Sequence, residues 1–391
     1  MVVLVLAVAA GVLAVAGAAQ ALSARAALRK FLSRPWPSGP ALPASVLKPL
    51  HGAEPRLAQC LASGLAQRHG AEWELLCAVA RADDPARPVA EAAFAGAPHA
   101  RLILRPAILG ENRKVSQLVH LAAEARHPVL VAVDSDMDCP PHWLTAVTAP
   151  LADPRIGLVT CLYLGVPADG SPWSRLAALG VNWHFLPNAA LGETIGQADG
   201  CYGATMALRA ETLARIGGFE RLLDVLADDH ALGEAVRALG LKVVVPPLLP
   251  GHVMAEASFA ALWAHELRWA RTTRVLRPWA HLGLGLTHPI PWALLALALA
   301  PGLATLGVLG AAVAARAALA RRVNRAGGEA GWRFLAWLPI RDLLSFAVWA
   351  TALAPGGVVW QGRRLLLRAG GRIVAAPAPS DPTTAKEAAS R

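Results

Sequence analysis

The stretch VAVDSDMDCP, residues 131–140, decides how this chain folds. It begins inside PVLVAV, residues 128–133, a short, β-branched run without charge that reads as a buried strand. Three carboxylates, Asp134, Asp136 and Asp138, follow at once. On an extended chain Asp134 and Asp136 point the same way, so together they can hold one hard cation through oxygen, and that cation can hold a diphosphate. Aspartate is also a common turn residue, so Asp-Ser-Asp before Pro140-Pro141 reads equally as an Asx-type turn with solvated side chains.

Upstream, residues 44–50, 73–80 and 100–104 read as strands, with helices near 55–68 and at 112–125. Strands alternating with helices imply an α/β fold with an open, mostly parallel sheet, whose ligands sit at the carboxyl ends of strands. The Asp134 cluster stands at such an end. Downstream, residues 199–219, DGCYGATMALRAETLARIGGF, join a glycine-rich turn to a strand and to a helix closed by Gly217-Gly218. Residues 226–239, LADDHALGEAVRAL, place Asp228 and Asp229 at a helix start, where carboxylates are favoured by capping and by the helix dipole. Residues 241–246, LKVVVP, read as a further strand.

Both flanks of this domain are apolar. The chain has 391 residues, is 55% hydrophobic and only 16% charged, which is more apolar than a soluble domain carries. Residues 2–22 are long enough to cross a bilayer core of about 30 Å. Arg25, Arg29, Lys30 and Arg34 follow this run and none precedes it, so a retained anchor with the next segment in the cytoplasm is favoured over a cleaved signal. Residues 255–277 read as a basic amphipathic helix carrying Trp263, Arg268, Trp269, Arg271 and Arg274, suited to a membrane interface. Residues 283–320 read as a tight hairpin of two short spans turning at Pro301-Gly302. The last apolar run, 343–360, is basic on both flanks, so the charge rule does not orient it as a crossing; a re-entrant or interfacial path resolves the conflict. The expected division is an anchor at 1–24, a linker at 25–43, a catalytic domain at 44–254, the interfacial helix at 255–282, a C-terminal membrane region at 283–372 and a disordered tail at 373–391.

The net charge of +10 does not point to nucleic acid, because zinc-finger spacing, a basic recognition helix and a stacking module are all missing from the sequence; arginines beside apolar spans fit anionic lipid. Cys60, Cys77, Cys139, Cys161 and Cys201 are odd in number, lack CxxC spacing and sit in apolar company, which suits reduced core thiols.

In chain order the sequence presents an Asp-rich strand end, a glycine-rich segment, an Asp pair and an Arg-Trp pair. This order resembles the family 2/21 type glycosyltransferases with a GT-A fold, whose signature is D, DxD, D and (Q/R)xxRW. Residues 45–55, SVLKPLHGAEP, resemble the opening of the ceramide glucosyltransferase family, as do 110–118, GENRKVSQL, 217–219, GGF, and 360–365, WQGRRL. The resemblance extends over about residues 43–372 and is nearest to the bacterial hopanoid-biosynthesis glycosyltransferases, which move N-acetylglucosamine from UDP to bacteriohopanetetrol.

The resemblance implies an inverting, UDP-sugar dependent enzyme of the bacterial inner membrane, with its catalytic domain cytoplasmic and a lipid acceptor. Asp134 and Asp136 match the DxD that holds a divalent cation, Mg2+ or Mn2+, on the donor diphosphate. Asp229 matches the general base and Asp228 its supporting neighbour. Arg268 and Trp269 match the RW pair, for diphosphate and acceptor; an interfacial anchor is the rival reading, and both can hold. Lys114 is read either as a nucleotide or phosphate contact or as a solvated lysine. Two departures stand out: Arg81 occupies the place of the first aspartate, with Asp83 and Asp84 as candidates for its uridine contact, and His265 opens the (Q/R)xxRW motif. The alternatives are a lipid glucosyltransferase using UDP-glucose and an inactive lipid-binding scaffold.

Overall fold

The structure is a computed structural model and describes residues 1–196, 200–328, 333–360 and 363–375. Asp199, the Gln361-Gly362 part of the WQGRRL resemblance and residues 376–391 of the expected tail lie outside the described residues.

The chain opens with α1 (Val2–Leu32). Then β1 (Ala44–Pro49), α2 (Leu57–Leu65), β2 (Trp73–Val79), α3 (Ala86–Phe94), β3 (Ala100–Leu104), α4 (Arg113–Glu124) and β4 (Val129–Val133) alternate as the pattern requires. There follow β5 (Met137–Asp138), α5 (Trp143–Thr148), β6 (Ile156–Thr160), β7 (Leu164–Pro167), α6 (Pro172–Gly180), a π-helical turn at Val181–Phe185, and α7 (Leu186–Thr194). β8 (Thr205–Arg209), α8 (Ala210–Arg215), α9 (Asp228–Ala238), β9 (Lys242–Val244) and β10 (Gly251–Met254) complete the α/β domain. The C-terminal block holds α10 (Phe259–Leu276), α11 (Pro278–Leu284), α12 (Pro289–Leu299), α13 (Leu303–Ala326), α14 (Leu338–Ala352), β11 (Val358–Trp360), β12 (Arg363–Leu367) and β13 (Ile373–Ala375).

The main sheet has the order β3-β2-β1-β4-β8-β6-β9. It is parallel except at β8, which runs antiparallel to both β4 and β6. Helices cover its strands on both faces, so β4 is buried at every residue and its sequence carries no polar alternation. A second, small sheet, β5-β10-β7, forms just past the carboxyl end of β4. There β10 lies antiparallel to β5 and sets His252 opposite Met137, one residue from Asp136.

α1 and α13 are each long and apolar enough to cross a membrane; Pro278–Thr287 and Pro289–Leu299 form a pair bent by 66° that has the same character when taken together. The buried positions of α1, Ala7, Ala10, Ala14, Gly17, Ala21, Ala24 and Leu28, recur at alternating spacings of three and four. Small residues at that spacing let helices approach closely. A Cβ at Gly17 would fall on the carbonyl of Leu286, which is why that position has none.

Four boundaries differ from the sequence reading. α1 continues to Leu32 rather than ending at 24, because Ala, Leu, Arg and Lys at 25–32 are strong helix formers, and the linker shrinks to 33–43. For the same reason the second leg of the hairpin runs through Arg321, Arg322 and Arg325 to Ala326. The expected interfacial helix is broken at Arg277-Pro278 into α10 and α11, as proline requires. Its tryptophan with the greatest exposure is Trp279, at 83%, and not Trp269. Finally, Ile373–Ala375 pairs with β12, so the first residues of the expected tail are a strand.

The helix of the last apolar run, α14, has 15 residues, roughly 22 Å, which falls short of a bilayer core of about 30 Å. Arg341 and Asp342 at its start are wholly buried and clamp the membrane helices to the α/β domain. Arg341 donates to both oxygens of Glu266 at 2.7 Å and to the Leu176 carbonyl at 2.9 Å. Asp342 accepts from Arg316 at 2.7 and 2.8 Å, while His184 approaches it at 3.1 Å. A buried guanidinium that loses its carboxylate is left uncompensated, so Glu266→Gln is expected to cost about 3–5 kcal/mol, read as a lower unfolding temperature in detergent. An unchanged unfolding temperature contradicts this account of the clamp.

Candidate active site

Asp134 is the first residue after β4, and its position follows from the sheet. Lys48 at the end of β1 donates to the Asp134 carbonyl at 2.7 Å and holds the strand end in place. Its carboxylate receives Lys114 of α4, Nζ to Oδ1 2.6 Å. Lys114 also approaches Asp228 Oδ2 at 3.7 Å and donates to the Gly203 carbonyl at 3.4 Å. The amide of Gly203 in turn donates to Asp229 Oδ2 at 2.9 Å. One lysine and one glycine therefore join the strand end to the Asp228-Asp229 pair, although these lie far apart in sequence. The Lys114 side chain is only 19% exposed and sits among these carboxylates, whose attraction outweighs desolvation and raises its pKa.

Asp136 faces the small sheet. His252 Nε2 lies 3.0 Å from Asp136 Oδ2, and the Val253 amide donates to the Asp136 carbonyl at 2.9 Å. Although burial works against ionisation, the imidazole of His252 holds the Asp136 carboxyl below the usual carboxylate range. Among the described residues Asp136 Oδ1 is buried without a hydrogen-bond partner, and so are Asp228 Oδ2, Glu54 Oε2 and Glu256 Oε2. Native proteins rarely leave such atoms unmet, and hard oxygen atoms of this kind suit a cation or a ligand hydroxyl. Among the described residues no cluster of three or more His, Cys, Asp or Glu surrounds a single point, so a cation here would rest on the two aspartates and on groups from elsewhere. Asp138 points away and accepts from Gln59 at 2.7 Å.

Asp228 and Asp229 open α9, yet neither caps it, since the N-cap is Ala227 and receives no side-chain bond. Burial, and then the neighbouring Asp228, push the Asp229 carboxyl up to about 6, against the amides of His230 and Gly203. A carboxylate poised there can take a proton near neutral pH. Arg268 of α10 forms no salt bridge among the described residues, while burial pulls its guanidinium down to about 10 against the field of Asp134 and Asp229. His265, one turn earlier, contacts Glu256 through Nδ1 and meets the Trp269 ring edge-on at 4.4 Å. Glu54, in the loop after β1, is pushed up to about 7 by burial and by Asp136.

Asp83 and Asp84 part company. Asp83 is exposed and pairs with Arg81. Asp84 is buried, accepts from the amides of Gly52 at 2.8 Å and Ala86 at 2.9 Å, and lies 3.3 Å from His51. The structure thus brings Asp134, Asp136, Lys114, Asp228 and Asp229 together, sets Arg268, Trp269 and His265 along one wall, and leaves Asp83 on the surface. His252 and Glu256 were not singled out by the sequence, which carries no spacing signal for them. Lys48 and Glu54 lie inside the quoted stretch SVLKPLHGAEP, but nothing in that stretch marks them individually as site residues.

A cavity of about 580 Å³ opens beside this group. His230, Tyr202, Glu256, His265 and Trp269 line it together with Leu284, Thr287, His288 and Trp349 of the C-terminal block. Its walls are mostly apolar, with α10 along one side.

Solved structures similar to this chain include two glycosyl-transferring enzymes. A mannosyltransferase from Pyrobaculum calidifontis, solved in complex with GDP-Man and Mn2+, is 19% identical, with 90% of this chain and 97% of that one covered at a TM-score of 0.50. The glucosyl-3-phosphoglycerate synthase of Mycobacterium tuberculosis aligns over 54% of this chain and 72% of its own at 20% identity, with a TM-score of 0.37. No curated protein matches the chain. The first likeness establishes a GT-A fold. The family model described as glycosyl transferase family 21 matches residues 4–373, nearly the whole length, and with that match the chain belongs to glycosyl transferase family 21 and is a glycosyltransferase.

Proposed function

We propose that the enzyme moves a sugar from a UDP donor to a hydroxyl of a membrane lipid, with inversion at the sugar carbon. The observation that carries this reading is the mostly apolar cavity lined both by His230, next to Asp229, and by Leu284, Thr287 and Trp349 of the C-terminal block. A water-soluble acceptor has no use for such a passage; an acceptor with an apolar body needs one. In this reading Asp229 takes the proton of the acceptor hydroxyl, the oxygen forms a bond to C1, and the bond from C1 to the diphosphate oxygen breaks on the opposite face. The electron pair leaves with UDP, and no covalent enzyme intermediate forms. In this reading Arg268 and Lys114 meet diphosphate charge, and Asp84 supports the nucleoside end through its bond to the Gly52 amide. Asp134 and Asp136 suit a divalent cation, as the unmet Asp136 oxygen suggests, and a cation bound there supplies positive charge against the departing diphosphate. Trp269 and His265 line the acceptor side.

For donor and acceptor, the motifs quoted above favour N-acetylglucosamine and a hopanoid polyol such as bacteriohopanetetrol, and they favour a catalytic domain on the cytoplasmic face of a bacterial inner membrane. The test is transfer by the purified full-length enzyme from UDP-N-acetylglucosamine or UDP-glucose to bacteriohopanetetrol or ceramide, with products read by mass spectrometry. A hopanoid N-acetylglucosaminide is the expected product; a glucosylceramide alone redirects the reading, and no product with any lipid acceptor defeats it. The cavity has its own check. Ala270→Phe places a ring in the passage and is expected to lower kcat/KM for the lipid by roughly 10–100-fold, the equivalent of about 1–3 kcal/mol of overpacking, with UDP affinity unchanged. Undiminished lipid turnover in this variant means that the acceptor takes another route.

A further inference from the structure

We infer that the arginine-rich ends of α1 and α13 form a binding site for the headgroup of an anionic phospholipid, separate from the catalytic cavity. Ala314, Ala317, Ala318, Arg321, Arg322 and Arg325 fall on one face of α13 at helical spacing, and Arg25 of α1 stands across from them around a cavity of about 380 Å³. Four guanidinium groups thus share one small space. Among the described residues no carboxylate lies within salt-bridge distance of Arg25, Arg322 or Arg325, and the Nε of Arg322 is buried without an acceptor. Like charges gathered in this way repel one another, and a buried guanidinium N–H without a partner is costly. An anion with several acceptor oxygens relieves both at once.

The alanines say which anion. From Ala314 to Arg325 the face extends roughly 16 Å along the helix, from the apolar part of a membrane-spanning segment to its basic end. Side chains this small leave a shallow groove beside α1, where an acyl chain can lie while its phosphate reaches the arginines. A free phosphate uses only the basic end and gains nothing from the groove. A bare flank of positive charge in water would attract anionic lipid weakly and without a defined place. None of these residues belongs to the group around Asp229, so the inference stands or falls apart from the proposed reaction.

The experiment uses the full-length protein in nanodiscs and in detergent, with lipid retention followed by native mass spectrometry. Dioleoyl phosphatidylglycerol is expected to be retained over dioleoyl phosphatidylcholine by the wild-type protein. An arginine near the surface is worth roughly fivefold, so Arg25→Gln with Arg322→Gln is expected to weaken phosphatidylglycerol binding by roughly 30-fold. Arg87→Gln, which loses the exposed pair with Glu91 and a bond to the Ala82 carbonyl in the α/β domain, is expected to leave it unchanged. Arg25 is exposed on its helix, so the single Arg25→Gln variant is readable even if the double variant misfolds. Equal retention of the two lipids by the wild type overturns the inference. So does undiminished retention in the Arg25 and double variants, or displacement by inorganic phosphate as effective as by the lipid.

Discussion

Asp229→Asn is expected to lower kcat by roughly 10²–10⁴-fold while leaving the affinity for UDP nearly unchanged. The substitution keeps the shape of the side chain and its capacity to accept from the Gly203 amide, and removes only its ability to take a proton. Donor affinity is expected to survive because the nearest contacts of Asp229 are the amides of Gly203 and His230. The same carboxylate fixes the pH dependence. Its pKa is raised to about 6, so on acidification it is protonated earlier than an ordinary aspartate, and kcat/KM is expected to fall as pH drops through about 6. Asp228→Asn removes one of the two groups of causes that raise it, leaving burial, and is expected to move that acid limb to lower pH. Stopped turnover at neutral pH in Asp229→Asn, with calorimetric UDP binding intact, is the supporting pattern. Substantial turnover in that variant removes Asp229 as the base.

The second large effect belongs to Asp136. Asp136→Ala is expected to abolish the dependence of UDP binding on Mn2+ or Mg2+ and to lower kcat/KM by about three orders of magnitude, the equivalent of several kcal/mol of charge stabilisation. The carboxylate offers a buried oxygen with no hydrogen-bond partner among the described residues, and its other oxygen is already tied to His252. His252 therefore acts as a positioning residue, and His252→Asn is expected to weaken metal affinity about 10–100-fold while leaving the pH limb of Asp229 in place. Isothermal titration of UDP with and without metal separates these cases. Metal-dependent UDP binding that persists in Asp136→Ala would assign the cation to other residues.

Much of this arrangement was legible in the sequence, and for identifiable reasons. A charge-free run that stops at Asp134 can only be a strand buried on both faces with its polar end at the sheet edge, and β4 is such a strand. Parallel strands followed from their alternation with helices. The antiparallel placement of β8 did not, because an apolar run of five residues reads the same in either direction. The pairing of Asp136 with His252 joins residues 116 apart through a strand of four, and no local pattern carries such information. Arg341 and Asp342 immediately precede the last apolar run in the sequence. A charge beside such a run has the same sequence whether it faces water or locks into Glu266 and Arg316, and only the packing of α14 on α6, α10 and α13 tells them apart. The Arg81 departure has a local resolution: Arg81 takes up Asp83 on the surface, while Asp84 turns inward to the Gly52 amide. Trp269 lines the cavity, which its spacing on a basic helix does not by itself reveal.

The most direct measurement is a structure of the full-length enzyme in a lipid nanodisc with UDP, Mn2+ and the acceptor lipid. The account expects the diphosphate between Asp134, Asp136 and Arg268, and the acceptor hydroxyl within about 3 Å of Asp229, its apolar body lying along α10 toward α14. An acceptor seated away from that cavity, or a nucleotide bound without contact to the Asp134 strand end, would contradict it.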